Sequence, residues 1–340
     1  MDDLRRRVRG FLAGGPGLWL APGDGTPPPG CVVVATSGTT GGAKLVVLSR
    51  GALIAAAEMA AARLGAAATW HLALQPTYVA GLMVLVRGEL GGGVRQASPS
   101  LDDLDPVAGP NAVSVVGTQL YRAVADPSRA ARLARFDAVL VGGAALAPDL
   151  RQRAEAAGIR VIETYGMSET CGGVVWDGRP LDGVDVRLGE RGRVTIAGPT
   201  VFDGYLGDPD ATAAALVDGA VLTRDRGRWD DGRLVIDGRL DEVVISGGVN
   251  VDLAEVRRAV ATIDPGADVV AVPDDEWGSR VVLVAASGPL EQWRQRLRAL
   301  VPSTSLPRQV LHVASLPLTP GGKPDRPALV ELAQRTAGHG

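Results

Sequence analysis

The sequence predicts an α/β fold in two parts. The first is a large N-terminal domain of mainly parallel sheets flanked by helices, with a small β-barrel-like part, and the second is a small α+β C-terminal lobe. A single hydrophobic core usually stops growing below 340 residues, so a chain of this length is expected to form about two domains. With 46% hydrophobic and 21% charged residues, the chain can bury a large core. Between residues 31 and 160, short β-branched runs alternate with Ala/Leu/Arg segments of helical spacing, which is typical of βαβ units.

The first half of the chain supplies the elements of the parallel sheet. Short apolar runs rich in valine predict strands, and longer segments with helical spacing predict helices. The predicted strands are 31–36, 112–116, 138–141 and 160–162, and the predicted helices are 51–64, 119–133 and 148–157. Pro127 should interrupt the second helix, because proline has no N–H to donate and its ring clashes with the preceding turn.

After Thr164 the sequence changes to short strands separated by turn residues, which predicts an antiparallel, barrel-like part. These strands are 184–188, 193–197, 220–223, 234–236 and 243–246. A final block predicts helices 253–263 and 290–300 and strands 269–272, 281–285 and 310–313, enough for a separate lobe. The polar segment 237–242 is the predicted boundary, which gives domains of residues 1–238 and 239–340.

Composition excludes several classes of partner. With 35 basic and 38 acidic side chains and 4% aromatic residues, the chain offers no basic surface for nucleic acid. Its longest apolar runs are far shorter than the ~20 residues of a membrane-spanning helix. Cys31 and Cys171 form neither a CxxC pair nor a disulfide framework, which favours a reducing, cytoplasmic location. The oligomeric state stays open, a homo-oligomer included.

A glycine-rich loop predicts a phosphate-binding site. Among the 35 basic residues only Lys44 and Lys323 are lysine, and each lies just after paired glycines. Residues 36–44 follow an apolar strand, and their glycines let several N–H groups point at one anion while hydroxyls and the ammonium add donors. The predicted polyphosphate-binding residues are Thr36, Ser37, Gly38, Thr39, Thr40, Gly41 and Lys44. The loop departs from the G-x-x-x-x-G-K-[ST] pattern, which disfavours a kinase or GTPase.

This loop and four later stretches occur in the order typical of one enzyme superfamily. The later stretches are Y-G-M-S-E-T at 165–170, T-R-D at 223–225, G-R-L-D-E at 238–242 with G-G-V-N at 247–250, and P-L-T-P-G-G-K at 317–323. Together they resemble the signatures of the acyl-adenylate-forming superfamily of acyl-CoA synthetases, adenylation domains and luciferases. The resemblance covers nearly the whole chain and implies that the small lobe moves on a hinge. Arg224 stands where the family's T-G-D motif has glycine.

The resemblance implies that ATP and Mg²⁺ activate a small-molecule carboxylic acid and that coenzyme A, as co-substrate, takes the acyl group. The implied catalytic residues are Lys323, Glu169 and Arg239. Glu169 would be the metal ligand, because Mg²⁺ commonly takes one or two carboxylates plus substrate phosphates. Adenine and ribose would contact Gly143, Ala144, Thr164, Tyr165, Gly166, Met167, Ser168 and Asp225. Asp241 would be the hinge, and Gly247 and Gly248 would line the CoA tunnel.

Three residues are assigned to the acyl pocket. Tyr78 stands where many family members have a gating histidine. Thr118 and Gln119 would offer hydroxyl and amide donors at the start of a helix. An ordinary helix cap is the structural alternative for this segment.

The length and the stretches 79–82, 118–120 and 141–146 are similar to the short bacterial o-succinylbenzoate–CoA ligases of menaquinone synthesis. The resemblance therefore implies an ATP-dependent acid–CoA ligase acting on o-succinylbenzoate. Two alternatives stay open: another aryl- or acyl-CoA ligase or a carrier-protein adenylation enzyme, and a catalytically silent nucleotide-binding protein. Only 35 residues precede Thr36, so the large domain is expected to be shorter at its start than in the family.

Overall fold

The structure is a computed structural model that describes residues 2–36, 44–319 and 324–337. The helices are α1 Asp2–Leu12, α2 Arg50–Leu64, α3 Val79–Leu90, α4 Gly117–Val124, α5 Pro127–Leu133, α6 Pro148–Ala156, α7 Pro209–Ala215, α8 Leu253–Ile263, α9 Leu290–Leu297 and α10 Arg326–Ala337. The strands are β1 Leu18–Trp19, β2 Cys31–Ala35, β3 Leu45–Ser49, β4 Thr69–Leu72, β5 Val94–Gln96, β6 Asn111–Val116, β7 Ala138–Gly142, β8 Val161–Met167, β9 Gly172–Trp176, β10 Arg179–Pro180, β11 Asp185–Leu188, β12 Arg193–Ala197, β13 Gly204–Tyr205, β14 Leu216–Val217, β15 Ala220–Asp230, β16 Arg233–Arg239, β17 Val243–Ser246, β18 Val249–Asp252, β19 Asp268–Asp274, β20 Gly278–Ala285 and β21 Gln309–His312. Among the described residues no helix is long and apolar enough to cross a membrane.

The predicted α/β class is confirmed by a seven-stranded sheet with strand order β10-β9-β8-β7-β6-β4-β5. Its pairs between β5 and β8 are parallel, and β9 and β10 add an antiparallel edge. Its strands are buried together with helices α4, α5 and α6. The predicted break at Pro127 is confirmed as well. Pro127 opens α5 after the Asp126 carboxylate, which accepts hydrogen bonds from the first N–H groups of that helix.

The strand predicted at residues 31–36 is real, but its assignment to the parallel sheet is wrong. As β2 it belongs to a separate four-stranded sheet of order β1-β2-β3-β13 and pairs antiparallel with β3. Only nine residues separate β2 from β3, and a parallel pair needs a crossover of a dozen or more. The predicted phosphate loop therefore closes a hairpin.

Helices α1, α3, α7 and α10 were not predicted from the sequence, and of these α1 and α3 pack on each other. Helix α3 is buried continuously over residues 81–88, so its sequence lacks the periodicity of an amphipathic helix. Glycine is required at its position 81, where a Cβ would lie 2.2 Å from the Gln75 carbonyl oxygen. Helix α1 buries Val8 and Phe11, and its Arg5 and Arg9 both donate to Glu89 of α3.

The barrel-like part predicted from short strands is a five-stranded sheet of order β11-β12-β15-β14, with β16 beside β15. The strand predicted at residues 243–246 exists as β17, but its assignment to this part is wrong, because it pairs with β18 and β20 in another sheet. The pairs β11–β12 and β14–β15 are antiparallel. Along β12 every second residue is buried, which is the alternation expected of a sheet with one covered face.

The described residues divide into two compact units. The second contains the described residues from Ile236 onward, with Arg191–Arg193 and Arg224–Arg228, and the first contains the rest. The second unit has a sheet of order β18-β17-β20-β19, with β21 beside β20. Its strand β20 alternates between two cores, one shared with α8 and α9 and the other with α10. The functional division at residues 238 and 239 stays a prediction.

Candidate functional site

The two described ends of the predicted phosphate loop are fixed by the hairpin. The Thr36 N–H donates to the Lys44 carbonyl at 2.9 Å, and the Lys44 N–H donates to the Thr36 hydroxyl at 3.2 Å. The other predicted members of this loop lie outside the described residues: Ser37, Gly38, Thr39, Thr40 and Gly41. Lys323 lies outside them as well. The hairpin thus places the Lys44 cation where the loop ends.

Glu169 lies on a tight turn that follows β8. The Thr170 hydroxyl is buried and fixes this turn, because it accepts from the Met167 N–H at 3.0 Å and donates to the Gly172 carbonyl at 2.8 Å. Cys171 ends the turn in the left-handed conformation, with φ +53°. The half-buried Glu169 is thereby presented from a turn with a fixed backbone.

Tyr205 contacts both of these predicted ATP-site residues, and sequence analysis missed it. Its hydroxyl donates to Glu169 Oε1 at 2.6 Å. The Lys44 Nζ lies 4.4 Å from the centroid of its ring, within the range of a cation–π contact. The sequence signal was weak, because Tyr205 lies on a strand of two residues.

The ends of β7 and β8 hold the predicted adenine-side residues. The Thr164 hydroxyl donates to the Val141 carbonyl at 3.3 Å. A Cβ at Gly142 would lie 2.6 Å from the Thr164 hydroxyl oxygen, so glycine is required there. The remaining predicted residues follow along these two segments: Gly143 and the exposed Ala144 after β7, Tyr165, Gly166 and Met167 in β8, and Ser168 in the turn. Their contacts with adenine stay a prediction.

In the second unit, the predicted ribose and hinge residues form one charged network. Arg239 donates from Nε and Nη2 to the two Asp241 oxygens at 2.9 Å each, and its Nη1 lies 3.4 Å from Asp225 Oδ1. Arg224 also donates to Asp241, at 3.2 Å. Burial raises the pKa of Asp241, but the two arginines hold it below its ordinary value. Arg239 therefore joins the predicted ribose-binding carboxylate to the predicted hinge.

Gly247 and Gly248 form the turn between β17 and β18, with φ +60° and +78°. The Gly247 N–H donates to the Trp277 carbonyl at 2.9 Å, and a Cβ at Gly247 would lie 2.8 Å from the Trp277 ring. The Arg308 guanidinium covers that ring at 3.3 Å from its centroid. The geometry explains the need for glycine at position 247, and the CoA tunnel stays a prediction.

The predicted acyl-pocket residues lie at the starts of two helices. The half-buried Tyr78 precedes α3, and Thr118 lies in the first turn of α4. Gln119 accepts from the Val116 N–H at 3.0 Å and donates to the Ala73 and Pro99 carbonyls at 3.1 and 2.9 Å. Both amide hydrogens of Gln119 are therefore used inside the protein, in line with the helix-cap alternative for this segment. The acyl-pocket assignment stays a prediction.

Besides Tyr205, sequence analysis left Arg87 of helix α3 unassigned. Arg87 is only 7% exposed and lies over the Trp70 ring, 5.0 Å from its centroid. Among the described residues its guanidinium has no carboxylate partner, and its Nε has no hydrogen-bond acceptor. Burial lowers the pKa of Arg87 to about 10, against an opposing effect of Cys171. An arginine directly after the apolar run 79–86 was the signal that could have identified it.

The family of AMP-binding enzymes matches this chain over residues 26–206. A probable 2-succinylbenzoate–CoA ligase of Mycobacterium tuberculosis is 39% identical over 322 residues, which cover 88% of this chain and 83% of that protein. A feruloyl-CoA synthase of an Amycolatopsis species is 31% identical over 342 residues, covering 86% of this chain and 68% of that protein.

A solved structure of a variant of Escherichia coli MenE with bound OSB-AMS has the same fold. It superposes with a TM-score of 0.75 at 28% identity and covers 92% of this chain and 71% of that chain.

Proposed function

This chain belongs to the family of AMP-binding enzymes, and from that premise we propose that it joins 2-succinylbenzoate to coenzyme A. It is an AMP-forming acid–CoA ligase that uses ATP, Mg²⁺ and coenzyme A. The observation that carries the choice of acid is the buried guanidinium of Arg87, which has no counter-ion among the described residues. Such an activity would serve menaquinone synthesis.

The first half-reaction joins the acid to AMP. A carboxylate oxygen forms a bond to the α-phosphorus of ATP, while the bond from that phosphorus to the pyrophosphate oxygen breaks and pyrophosphate leaves. Because two anions meet, cations and N–H donors must offset the charge that develops in the transition state. In our proposal Lys44 and the loop 36–44 hold the phosphates, and Lys323 binds the reacting carboxylate.

Glu169 fits the metal that this reaction uses. One oxygen of its carboxylate accepts a neutral O–H, and no basic side chain within the described ranges forms an ion pair with it. Within those ranges no cluster of three His, Cys, Asp or Glu side chains could hold a metal alone. A single carboxylate completed by substrate phosphates and water suits Mg²⁺, which when bound would neutralise phosphate charge.

In the second unit, Asp225 and Arg239 are the proposed ribose-binding pair. The Asp225 carboxylate can accept two hydroxyl groups, and the Arg239 guanidinium, 3.4 Å away, helps to orient it. Asp241, which shares Arg239, is the proposed hinge residue. The Gly247–Gly248 turn then serves the second half-reaction, in which the CoA thiol displaces AMP from the acyl group.

Arg87 supports an acid with a second carboxylate. A buried cation without a counter-ion is costly for a folded protein, and an anionic ligand removes that cost. The bidentate fork of a guanidinium matches a carboxylate, and the adjoining Trp70 and apolar side chains of α3 suit an aromatic ring. 2-Succinylbenzoate has both features, since one of its carboxylates is activated and the other stays charged.

The test is to measure kcat/KM by mass detection of the CoA product with ATP and Mg²⁺. The panel contains 2-succinylbenzoate, its analogue without the second carboxylate, benzoate, ferulate and a medium-chain fatty acid. We expect 2-succinylbenzoate to exceed the mono-acid analogue by about 10⁴-fold, because a site built around a charged group rejects analogues that lack it. Equal kcat/KM values for 2-succinylbenzoate and its mono-acid analogue would leave only a general acid–CoA ligase. Transfer of the acyl group to a carrier protein instead of CoA would favour a carrier-protein adenylation enzyme. If no acid released pyrophosphate, the chain would be a silent nucleotide-binding protein.

We place the activity in the cytoplasm, where ATP and CoA are available. The two cysteines, Cys31 and Cys171, are both buried and unpaired, which fits a reducing compartment.

A further inference from the structure

The backbone at Tyr205, like the turn that carries Glu169, is fixed by hydrogen bonds to a threonine hydroxyl. Its N–H donates to the Thr212 hydroxyl at 2.8 Å, and that hydroxyl donates to the Asp208 carbonyl at 2.8 Å. The preceding Gly204 has φ +138°, and a Cβ there would lie 2.7 Å from the Thr212 methyl carbon. The phenol of Tyr205 is therefore carried by a backbone that requires glycine at position 204.

The same segment contacts Glu169 at two points. The Phe202 N–H donates to the Glu169 backbone carbonyl at 3.0 Å, and the Tyr205 hydroxyl donates to the Glu169 carboxylate at 2.6 Å. The Phe202 ring packs edge-on against the Tyr205 ring, with centroids 5.0 Å apart. Backbone and side chain of Glu169 are therefore oriented together by residues 202–205.

The chemistry of this contact differs from that of a structural ion pair. A phenol is a neutral donor, so it orients the carboxylate without neutralising its charge. A carboxylate has about four acceptor sites on two oxygens, and the hydrogen bond at Oε1 occupies one of them. The nearby cation, Lys44, lies over the ring of Tyr205. The carboxylate thus has a defined direction and no ion-pair partner among the described residues, as suits a ligand of a small hard cation.

From this geometry we propose that Tyr205 is a positioning residue for Mg²⁺ binding, acting through the Glu169 carboxylate. The proposal rests on the proposed function, which makes Glu169 the metal ligand. It adds a residue that lies outside the five motifs. The Tyr205 hydroxyl would orient the metal ligand Glu169, and the Tyr205 ring contacts the Lys44 ammonium.

The deciding variant is Tyr205→Phe, which removes one oxygen and keeps the ring under Lys44. ATP affinity is measured by calorimetry across a Mg²⁺ titration and without Mg²⁺. A hydrogen bond to a charged group justifies an expected rise of about tenfold or more in the Mg²⁺ concentration at half effect. Mg²⁺-free ATP affinity should stay within about twofold, since the ring remains. An unchanged Mg²⁺ titration, or an equal loss of ATP affinity with and without Mg²⁺, overturns the proposal.

Two further variants separate this proposal from the assignment of Glu169. Glu169→Gln should remove most of the Mg²⁺ dependence of ATP binding, and Tyr205→Phe should add nothing in that background. If Glu169→Gln left the dependence intact, the metal assignment itself would fall. If Glu169→Gln removed it and Tyr205→Phe did not shift it, only the role of Tyr205 would fall. Tyr121→Phe, an exposed tyrosine on α4, is the matched control and should leave the titration unchanged.

Discussion

Two charged residues of α3, two positions apart, have opposite environments. The Glu89 side chain is 3% exposed and is paired with Arg5 and Arg9 of α1. Arg87 is buried as well, yet has no counter-ion within the described ranges. Burial raises the pKa of Glu89, but the hydrogen bonds from Arg9 and Arg5 bring it below its ordinary value. The paired charge thus stabilises the fold of this unit, whereas we propose that the unpaired buried charge of Arg87 binds the substrate.

The largest expected effect comes from Arg87→Met, which keeps a long apolar stem and removes the charge. We expect kcat/KM for 2-succinylbenzoate to fall by 10²-fold or more, since the free carboxylate loses a charged partner. The mono-acid analogue should lose little. Stability against urea should stay equal or rise, because a buried charge without a counter-ion destabilises the free protein. A fall in stability with unchanged substrate preference would contradict this reading of Arg87.

A smaller and opposite effect is expected for Glu89→Gln. Its amide cannot match the two charge-assisted hydrogen bonds, so the free energy of unfolding should fall by about 1–3 kcal/mol, as measured by urea unfolding at neutral pH. The ratio of kcat/KM values for the two acids should not change.

The pH dependence of that difference has a defined sign. Because the pKa of Glu89 is lowered in the folded protein, the stabilisation is present above the ordinary glutamate value of about 4.3. It is lost as the pH falls below that value and through the lowered pKa. The stabilities of wild type and Glu89→Gln should therefore converge in acid. A constant difference across this range would show that the charge of Glu89 is not what stabilises α1 on α3.

The smallest effect is expected where paired charge is exposed. Arg224 donates to Asp241 and its side chain is 55% exposed, so Arg224→Gly, which restores the residue of the family motif, removes a solvent-screened ion pair. We expect the adenylation and thioester-forming rates to change by less than about fivefold, and the difference from wild type to vanish at 1 M salt, where screening acts within ~3 Å. A larger, salt-independent change would show that Arg224 acts as more than a surface partner of Asp241.

The sequence predicted what depends on local chemistry. Pro127 and Asp126 mark a helix boundary in any context, and the motif around Glu169 has a recognisable order of residues. Sequence reasoning missed what depends on distant partners. The register of β2 against β3 follows from the short loop between them, which was assigned to phosphate binding but not recognised as a hairpin.

The unassigned site residues were missed for the same physical reason. Tyr205 reaches Glu169 because β13 pairs with β3 and brings the phenol to that carboxylate. The apolar run before Arg87 hinted at its burial, but the absence of a carboxylate partner among the described residues depends on the folded chain. In both cases the proposed role depends on the surroundings of the side chain, which exist only in the folded chain.

The burial of the two thiols has a consequence for chemical selectivity. An acyl-adenylate reacts with any thiolate within reach, and Cys171 lies only two residues beyond Glu169. Burial is the main cause that raises the pKa of both thiols, to about 11 for Cys31 and further for Cys171. At pH 7 a thiol with a pKa of about 11 is ionised in roughly one molecule in 10⁴, and only the thiolate is nucleophilic. We therefore expect both cysteines to be poor acyl acceptors, which leaves the activated acid to the thiol of coenzyme A.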